Sequence, residues 1–530
     1  MSNFLWWRDG VIYQIYPRSF ADANGDGLGD LPGIISRLDY LADLGVDAIW
    51  LSPIYPSPDK DFGYDISDYC DVDPRFGCLA DFDQLVSGAH QRGLHVILDM
   101  VMNHTSDQHP WFAESRSNRD NPKRDWYIWR DPPNNWQASF GGKAWEYDAA
   151  TGQYYLHLFT RQQPDVNWRN PQVRQAQLAA FHFWLERGVD GFRLDVFNAY
   201  FKHPDLRDNP PKFGLSGFNR QRHLHDIDQP EMMPLLIELR NLLDAYPERY
   251  AVGETFLATP QKTCSYCGPD KLHAAFSFDF TAINSELALA FRYYPWNPKW
   301  ITQKILSREE VCNSAGIWPT TMMSNHDLPR SASRYARGEN DAQARIAMAL
   351  LLTLRGTPFM YYGEEIGMRD IKLSRQEILD PPGKHYWPIY KGRDGCRAPM
   401  QWEAGPYAGF SNARPWLPVH PDALQRNVAA QQADPDSLLN FTKKLLRLRK
   451  SHAALHRGDF IPVESQRGLL AYMRTTNEQT VLVALNFSGL AKDFTPPQGK
   501  WELLMTSNTV QADIAAPLAP YEVRILSRRK

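Results

Sequence analysis

The chain has 530 residues, with 58 basic and 61 acidic side chains and a formal net charge of -3. That length accommodates two or three domains, one with a large core, and the balanced charge argues against a general attraction to nucleic acid or anionic lipid. No apolar run reaches the 18 residues of a membrane span, and the opening MSNFLWWRDG lacks a basic segment followed by an apolar core and cleavage site. A soluble, cytoplasmic protein with no nucleic-acid or membrane partner is expected, as a monomer or homodimer. Of six cysteines, Cys264 and Cys267 stand in CSYC, but no second CxxC completes a four-thiolate zinc site, so free thiols are expected.

Along the chain, short β-rich runs alternate with helical segments: VIYQIYP from Val11, DAIWLSP from Asp47, HVILDMV from His95 and GFRLDV from Gly191. YAVGE from Tyr250, AAFSFDF from Ala274, TTMMSNHD from Thr320 and FMYYGEE from Phe359 follow. Buried parallel strands read as continuous apolar runs, so eight of them predict an α/β fold, a closed (β/α)8 TIM barrel. LPGIISRLDYLADLGV, Leu31 to Val46, has the spacing of one amphipathic returning helix. An open doubly wound sheet fits less well, because no glycine-rich phosphate loop follows the first strand.

Two segments break the rhythm. From His104 to Asn167 the chain is rich in Trp, Asn, Pro and Gly and carries the strand-like QYYLHLF. An insertion at that strand end lies over a barrel's active face. After Leu455, GLLAYMRT, TVLVALNFS, WELLMTS and YEVRILS predict a small antiparallel β domain. The expected layout is a barrel from residues 1–103 and 168–455, an inserted domain over 104–167 and a C-terminal β domain over 456–530. Aromatic residues make up 13% of the chain and crowd loop-like stretches such as WYIWRDPPNNW. Such rings suit the apolar faces of sugars.

Arg193 and Asp195, two apart in GVDGFRLDVFNAY, share one face of a strand. Buried charge is expensive, so the pair is either a salt bridge or a tool. The other strand ends decide: DMVMNH closes with His104, YAVGE with Glu254, and SNHD holds His326 and Asp327. Side chains at the C-terminal ends of barrel strands converge on one pocket, which brings three carboxylates together.

This set resembles the α-amylase superfamily, glycoside hydrolase family 13, in its α-glucosidase and oligo-1,6-glucosidase branch. The similarity runs through GVIYQIYPRSF, GDGLGDLPGI, FGYDISDY, QPDVNW, SNHD, YYGEEIGM and GCRAPMQW. The resemblance implies Asp195 as nucleophile, Glu254 as acid/base and Asp327 as transition-state stabiliser, in an exo-acting, retaining hydrolysis of short α-1,6 or α-1,4 glucosides. It implies hydroxyl-binding roles for His104 and His326 and an aromatic platform at Tyr64. Asp65 and Arg397 would bridge the end of the site around the non-reducing glucose, and Phe159 would add an apolar wall. Arg193 would keep Asp195 ionised, while a less polar setting would raise the pKa of Glu254. Val196 resembles the residue that admits α-1,6 linkages.

DANGDGLGD, Asp22 to Asp30, fails the EF-hand pattern, since Gly33 stands where a bidentate Glu is needed. It resembles the branch's calcium loop, which implies a structural Ca2+, with Mg2+ as the alternative ion, held by Asp22, Asn24, Asp26, Asp30 and the Leu28 carbonyl. No organic cofactor is expected. A sucrose or trehalose isomerase or transglucosylase would use the same carboxylates. A non-enzymatic transporter ectodomain is disfavoured, because the carboxylates are present and no membrane span is found.

Overall fold

Among the described residues of the computed structural model (4–276, 298–335, 341–508 and 513–529), the eight apolar runs become one parallel sheet. Its strands are β1 (Ile12–Ile15), β2 (Ala48–Leu51), β3 (His95–Met100), β4 (Gly191–Leu194), β5 (Tyr250–Glu254), β6 (Ala274–Phe276), β7 (Thr320–Met322) and β8 (Thr357–Tyr361). Seven neighbouring pairs run β7-β8-β1-β2-β3-β4-β5-β6, all parallel. The ring closes where the Thr320 hydroxyl of β7 donates to the Ala275 carbonyl of β6 at 3.3 Å. The last four residues of AAFSFDF, 277–280, lie outside the described residues.

The period of two explains the barrel's interior. Ala48, Trp50, Ile97, Val252, Phe276 and Phe359 form one fully enclosed cluster. Their sequence neighbours, such as Ile49, Leu51, Val96, Leu98 and Ala251, pack in the larger core outside the ring.

Leu31 to Val46 is not one helix. It divides into Leu31–Ile35 and Leu38–Leu44, since Ser36 folds its hydroxyl onto the Gly33 carbonyl at 2.7 Å and Arg37 leaves helical geometry (φ -110°, ψ 7°). The insertion contains a small antiparallel sheet in the order Trp129–Arg130, Gln153–Leu156, Trp145–Asp148. Isolated bridges from His104 to Asp165 and from Tyr127 to Val166 close its base. The C-terminal sheet has the four expected strands plus Asp459–Val463, which pairs with Leu469–Thr475. Pro462 and the exposed face of that edge strand hid it from the sequence pattern. Arg474 ties this sheet to the barrel by donating to the Thr353 carbonyl at 2.7 Å. Among the described residues no helix is long and apolar enough to cross a membrane.

Gly253 shows how tightly the strand ends are packed. A Cβ there would lie 2.3 Å from a ring carbon of Phe197, three residues from β4. Gly253→Ala is expected to cost about 1–3 kcal/mol, as overpacking does. Urea unfolding would reveal it as a lowered midpoint, and an unchanged midpoint would contradict the packing argument.

Candidate active site

The inward-facing pattern continues upward and turns polar at one end of the barrel. Two residues beyond Ile12, Ile97 and Val252 stand Gln14, Asp99 and Glu254. Arg193 also faces inward, paired in register with Asp99 on β3 and Val252 on β5. Its guanidinium is 1% exposed and sits over the Trp50 ring at 5.4 Å. It donates to Asp99 and to Asp195, both at 2.6 Å, and to Glu254.

One cation therefore serves three carboxylates, which sets their acidity. Burial raises all three, and Arg193 offsets it only in part: Asp99 is raised to about 6, Asp195 to about 7 and Glu254 to about 8. Arg193 acts on Asp195 in the expected direction, but burial and then the like charges of Asp99 and Asp327 outweigh it, so the net shift is upward. Glu254, which shares the Arg193 guanidinium with Asp195, is raised further by its burial and by the neighbouring charges of Asp195 and Asp327. Two like charges in one buried site disfavour joint ionisation, so the Glu254–Asp195 pair favours the state with one shared proton.

Asp327 is treated oppositely. Burial would raise it, but the guanidiniums of Arg393, Arg397 and Arg193 hold it well below the usual carboxylate range. Burial drives His326 down to about 3 and His104 to about 4, so both rings are neutral. Gln14 Nε2 lies 2.8 Å from His326 Nδ1. With the amide donating, the ring's hydrogen sits on Nε2, 2.6 Å from the Tyr64 hydroxyl, which itself donates to Asp99 at 2.9 Å. Tyr64 also stacks on His326 at 5.2 Å, and His104 Nε2 faces the Tyr64 carbonyl at 3.0 Å.

A cavity of about 220 Å3 opens over this layer, lined by Tyr64, His104, Phe159, Asp195, Val196, Glu254, His326 and Asp327. Asp61, Ser139, Phe140, Phe256, Tyr390 and Arg393 complete its wall. The bridge expected between Asp65 and Arg397 is not formed. Asp65 turns inward to the Ser57 hydroxyl and the amides of Lys60 and Asp61, while Arg397 donates to the His326 carbonyl and Asp327. Four residues earlier in each motif, Asp61 and Arg393 meet at 2.6 Å instead, and Arg393 also reaches Asp380 at 2.7 Å and Asp327 at 3.1 Å. Asp65 is a loop anchor, and Arg397 supports Asp327 from behind.

Phe159 forms the apolar wall, 5.5 Å from Phe140 and 5.8 Å from Phe256. Val196 holds a left-handed backbone (φ 34°), a strained state for a β-branched residue. That turn swings the chain out of β4 directly after Asp195. Several functional residues lay outside the sequence reading. Asp99 was detectable from its inward parity with Ile97, and Arg393 as a second arginine in GRDGCR. Nothing local marked Phe140, Phe256 or Tyr390. A larger cavity, about 1110 Å3 beside Pro298, Lys299, Thr302, Gln303 and Pro462–Leu469, has one carboxylate in its lining, Glu464, whereas the smaller one gathers Asp61, Asp195, Glu254 and Asp327.

The Asp22–Asp30 loop offers only oxygen donors, which suits a hard cation. Its side chains organise the loop itself: Asp22 accepts from the amides of Gly25 and Gly27, Asn24 from Asp26, Asp26 from Leu28 and Asp30 from Gly33. Among the described residues, no group of three or more His, Cys, Asp or Glu side chains is gathered for a metal.

Residues 14–458 match the alpha-amylase catalytic-domain family. The chain belongs to the α-amylase family of glycoside hydrolases. It is 44% identical to a probable alpha-glucosidase of Rhizobium meliloti (strain 1021), over 94% of this chain and 92% of that one. It is 39% identical to an oligo-1,6-glucosidase of Parageobacillus thermoglucosidasius, over 99% of both. The crystal structure of an alpha-glucosyl transfer enzyme, XgtA, superposes with a TM-score of 0.91 at 41% identity, covering 99% of this chain and 100% of that one.

The shared proton predicts a bell-shaped dependence of kcat/KM on pH. Activity rises as Asp195 loses its proton and falls as Glu254 loses its own, with both limbs displaced upward from ordinary carboxylates. On a 4-nitrophenyl α-glucoside, whose leaving group needs no proton, Glu254→Gln is expected to abolish the alkaline limb. Persistence of that limb in the variant would contradict the assignment.

Proposed function

We propose that the protein is an exo-acting, retaining α-glucosidase that releases α-glucose from the non-reducing ends of short α-glucosides. The observation that carries the reading is the pocket. Asp195 and Glu254 stand at its base, and the Asp61–Arg393 pair closes its wall beside Asp327. At about 220 Å3 it falls below the ~300–1,000 Å3 of a pocket for a larger ligand, which fits one hexose ring at a chain end.

The geometry supports double displacement. An inverting enzyme separates its carboxyls by about 6.5–9.5 Å to seat a water, whereas a retaining one holds them closer, which suits two carboxyls that both accept from the one guanidinium of Arg193. Asp195 attacks the anomeric carbon while Glu254 gives its proton to the departing oxygen, leaving a glucosyl ester on Asp195. Water, deprotonated by Glu254, then frees α-glucose. Asp327, held ionised by its arginines, faces the positive charge that develops on the ring.

The decisive experiment is a time course on maltotriose and isomaltotriose with the product anomer followed by NMR. Glucose released in the α form, with an equal amount of maltose or isomaltose, is expected as the first product pair. Early β-glucose would overturn the double displacement, and early release of long oligosaccharides from starch would overturn the exo reading. A sugar acceptor in place of water gives transfer or isomerisation, a second reading favoured by the likeness to the transfer enzyme. Chromatography of products from maltose, isomaltose and sucrose separates the two.

On linkage, Val196 is the expected determinant, because it lines the pocket beside the nucleophile. Val196→Thr is expected to shift the isomaltose-to-maltose ratio of kcat/KM toward maltose, by up to the ~1–3 kcal/mol of a single apolar contact. An unchanged ratio would move the determinant elsewhere. The same reading keeps the division into barrel (1–103, 168–455), inserted domain (104–167) and C-terminal domain (456–530), supported by sheet membership. A cytoplasmic site fits the six unpaired thiols. A structural Ca2+ or Mg2+ at the Asp22–Asp30 loop is part of the proposal, supported by its all-oxygen donors. EDTA should then lower the melting temperature and added Ca2+ restore it, while no response to either would exclude the ion.

A further inference from the structure

All six cysteines are unpaired, yet two of them face each other. Cys264, in the helix Pro260–Ser265, and Cys312, in the helix Pro298–Ala315, hold their sulfurs 3.8 Å apart. A disulfide needs ~2.05 Å, so a shift of roughly 2 Å would join them. Cys267 is the third thiol in the cluster, but its sulfur points to the Thr263 carbonyl. We propose that Cys264 and Cys312 form a dithiol oxidation site that hydroperoxides close to an intrachain disulfide.

Access and chemistry both favour a small oxidant. The two residues are 8% and 6% exposed and line a cavity of about 20 Å3 with Cys267, Ala275, Trp318 and Thr320. That volume is little more than the ~10–15 Å3 a water needs, which favours an oxidant as small as hydrogen peroxide over a bulky disulfide such as glutathione disulfide. The hydrogen bond from Cys312 lowers the Cys264 pKa, while that bond and burial raise Cys312, which assigns the attacking and resolving roles. The Cys264 thiolate attacks one peroxide oxygen; the O–O bond breaks, leaving a sulfenic acid and releasing hydroxide, which takes up a proton to become water. Cys312 sulfur then attacks the Cys264 sulfur, the S–O bond breaks, and the hydroxyl leaves as water with the Cys312 proton. Two thiols and one peroxide give one disulfide and two waters.

The site lies directly behind the catalytic acid. Thr263, beside Cys264, places its hydroxyl 3.1 Å from that of Thr255, the residue after Glu254. Closing the cross-link therefore ties the segment that follows Glu254 to a second helix, and it closes a long chain loop, which constrains the unfolded state.

The test treats the reduced full-length protein with hydrogen peroxide, quenches with catalase, alkylates under denaturing conditions and maps peptides by mass spectrometry. Loss of two of the six alkylations is expected, with a Cys264–Cys312 peptide two hydrogens lighter, a raised melting temperature and full reversal by dithiothreitol. Cys267→Ser should keep the cross-link, Cys312→Ser should lose it, and glutathione disulfide should not produce it. Six alkylated thiols after peroxide, a Cys264–Cys267 linkage, or a sulfinic acid at Cys264 without cross-linking would each overturn the proposal.

Discussion

The site depends on one guanidinium. Arg193 is enclosed by the barrel and hydrogen-bonds to Asp99, Asp195 and Glu254 together. Had it one partner, the result would be an inert buried ion pair whose desolvation cost roughly cancels its attraction. With three, the cation cannot neutralise its surroundings, and the surplus negative charge draws in a proton. The proton settles on the Glu254–Asp195 pair, and Glu254 holds it more tightly. In the proposed mechanism this difference in environment is what divides two neighbouring carboxyls into general acid and nucleophile.

The wall of the pocket repeats the principle with the opposite sign. Asp327 pairs directly with Arg393 and Arg397, and these cations keep its carboxylate ionised despite its burial. Arg393 joins Asp327, Asp380 and Asp61 in one network, so the group that shapes the pocket's end also fixes the stabilising carboxylate. Entry geometry and electrostatics are coupled there.

Much of this was legible in the sequence, because the barrel strands are apolar runs ended by polar residues. All eight strands lie where the runs are, and Asp195, Glu254, Asp327, His104 and His326 come to one cavity. What failed was side-chain direction within short irregular loops. Asp61 and Asp65 are four apart in DFGYD, as are Arg393 and Arg397 in GRDGCR, and only backbone turns such as Phe62 at φ 52° decide which of each pair faces the cavity. The broken helix at Ser36 and the edge strand Asp459–Val463 were missed for a related reason. Local hydrogen bonding and pairing overrode the hydrophobic period there.

The claim that one proton rests on Glu254 at neutral pH is tested most directly by infrared difference spectroscopy of the wild type against Glu254→Gln. Other buried acids, such as Glu364 and Glu365, whose pKa values burial also raises, contribute equally to both spectra and cancel. The account predicts a protonated-carboxyl band present in the wild type and lost in the variant, fading as the pH rises through the alkaline limb. Superimposable carboxyl regions would mean that Glu254 is ionised and that the surplus charge around Arg193 is balanced elsewhere.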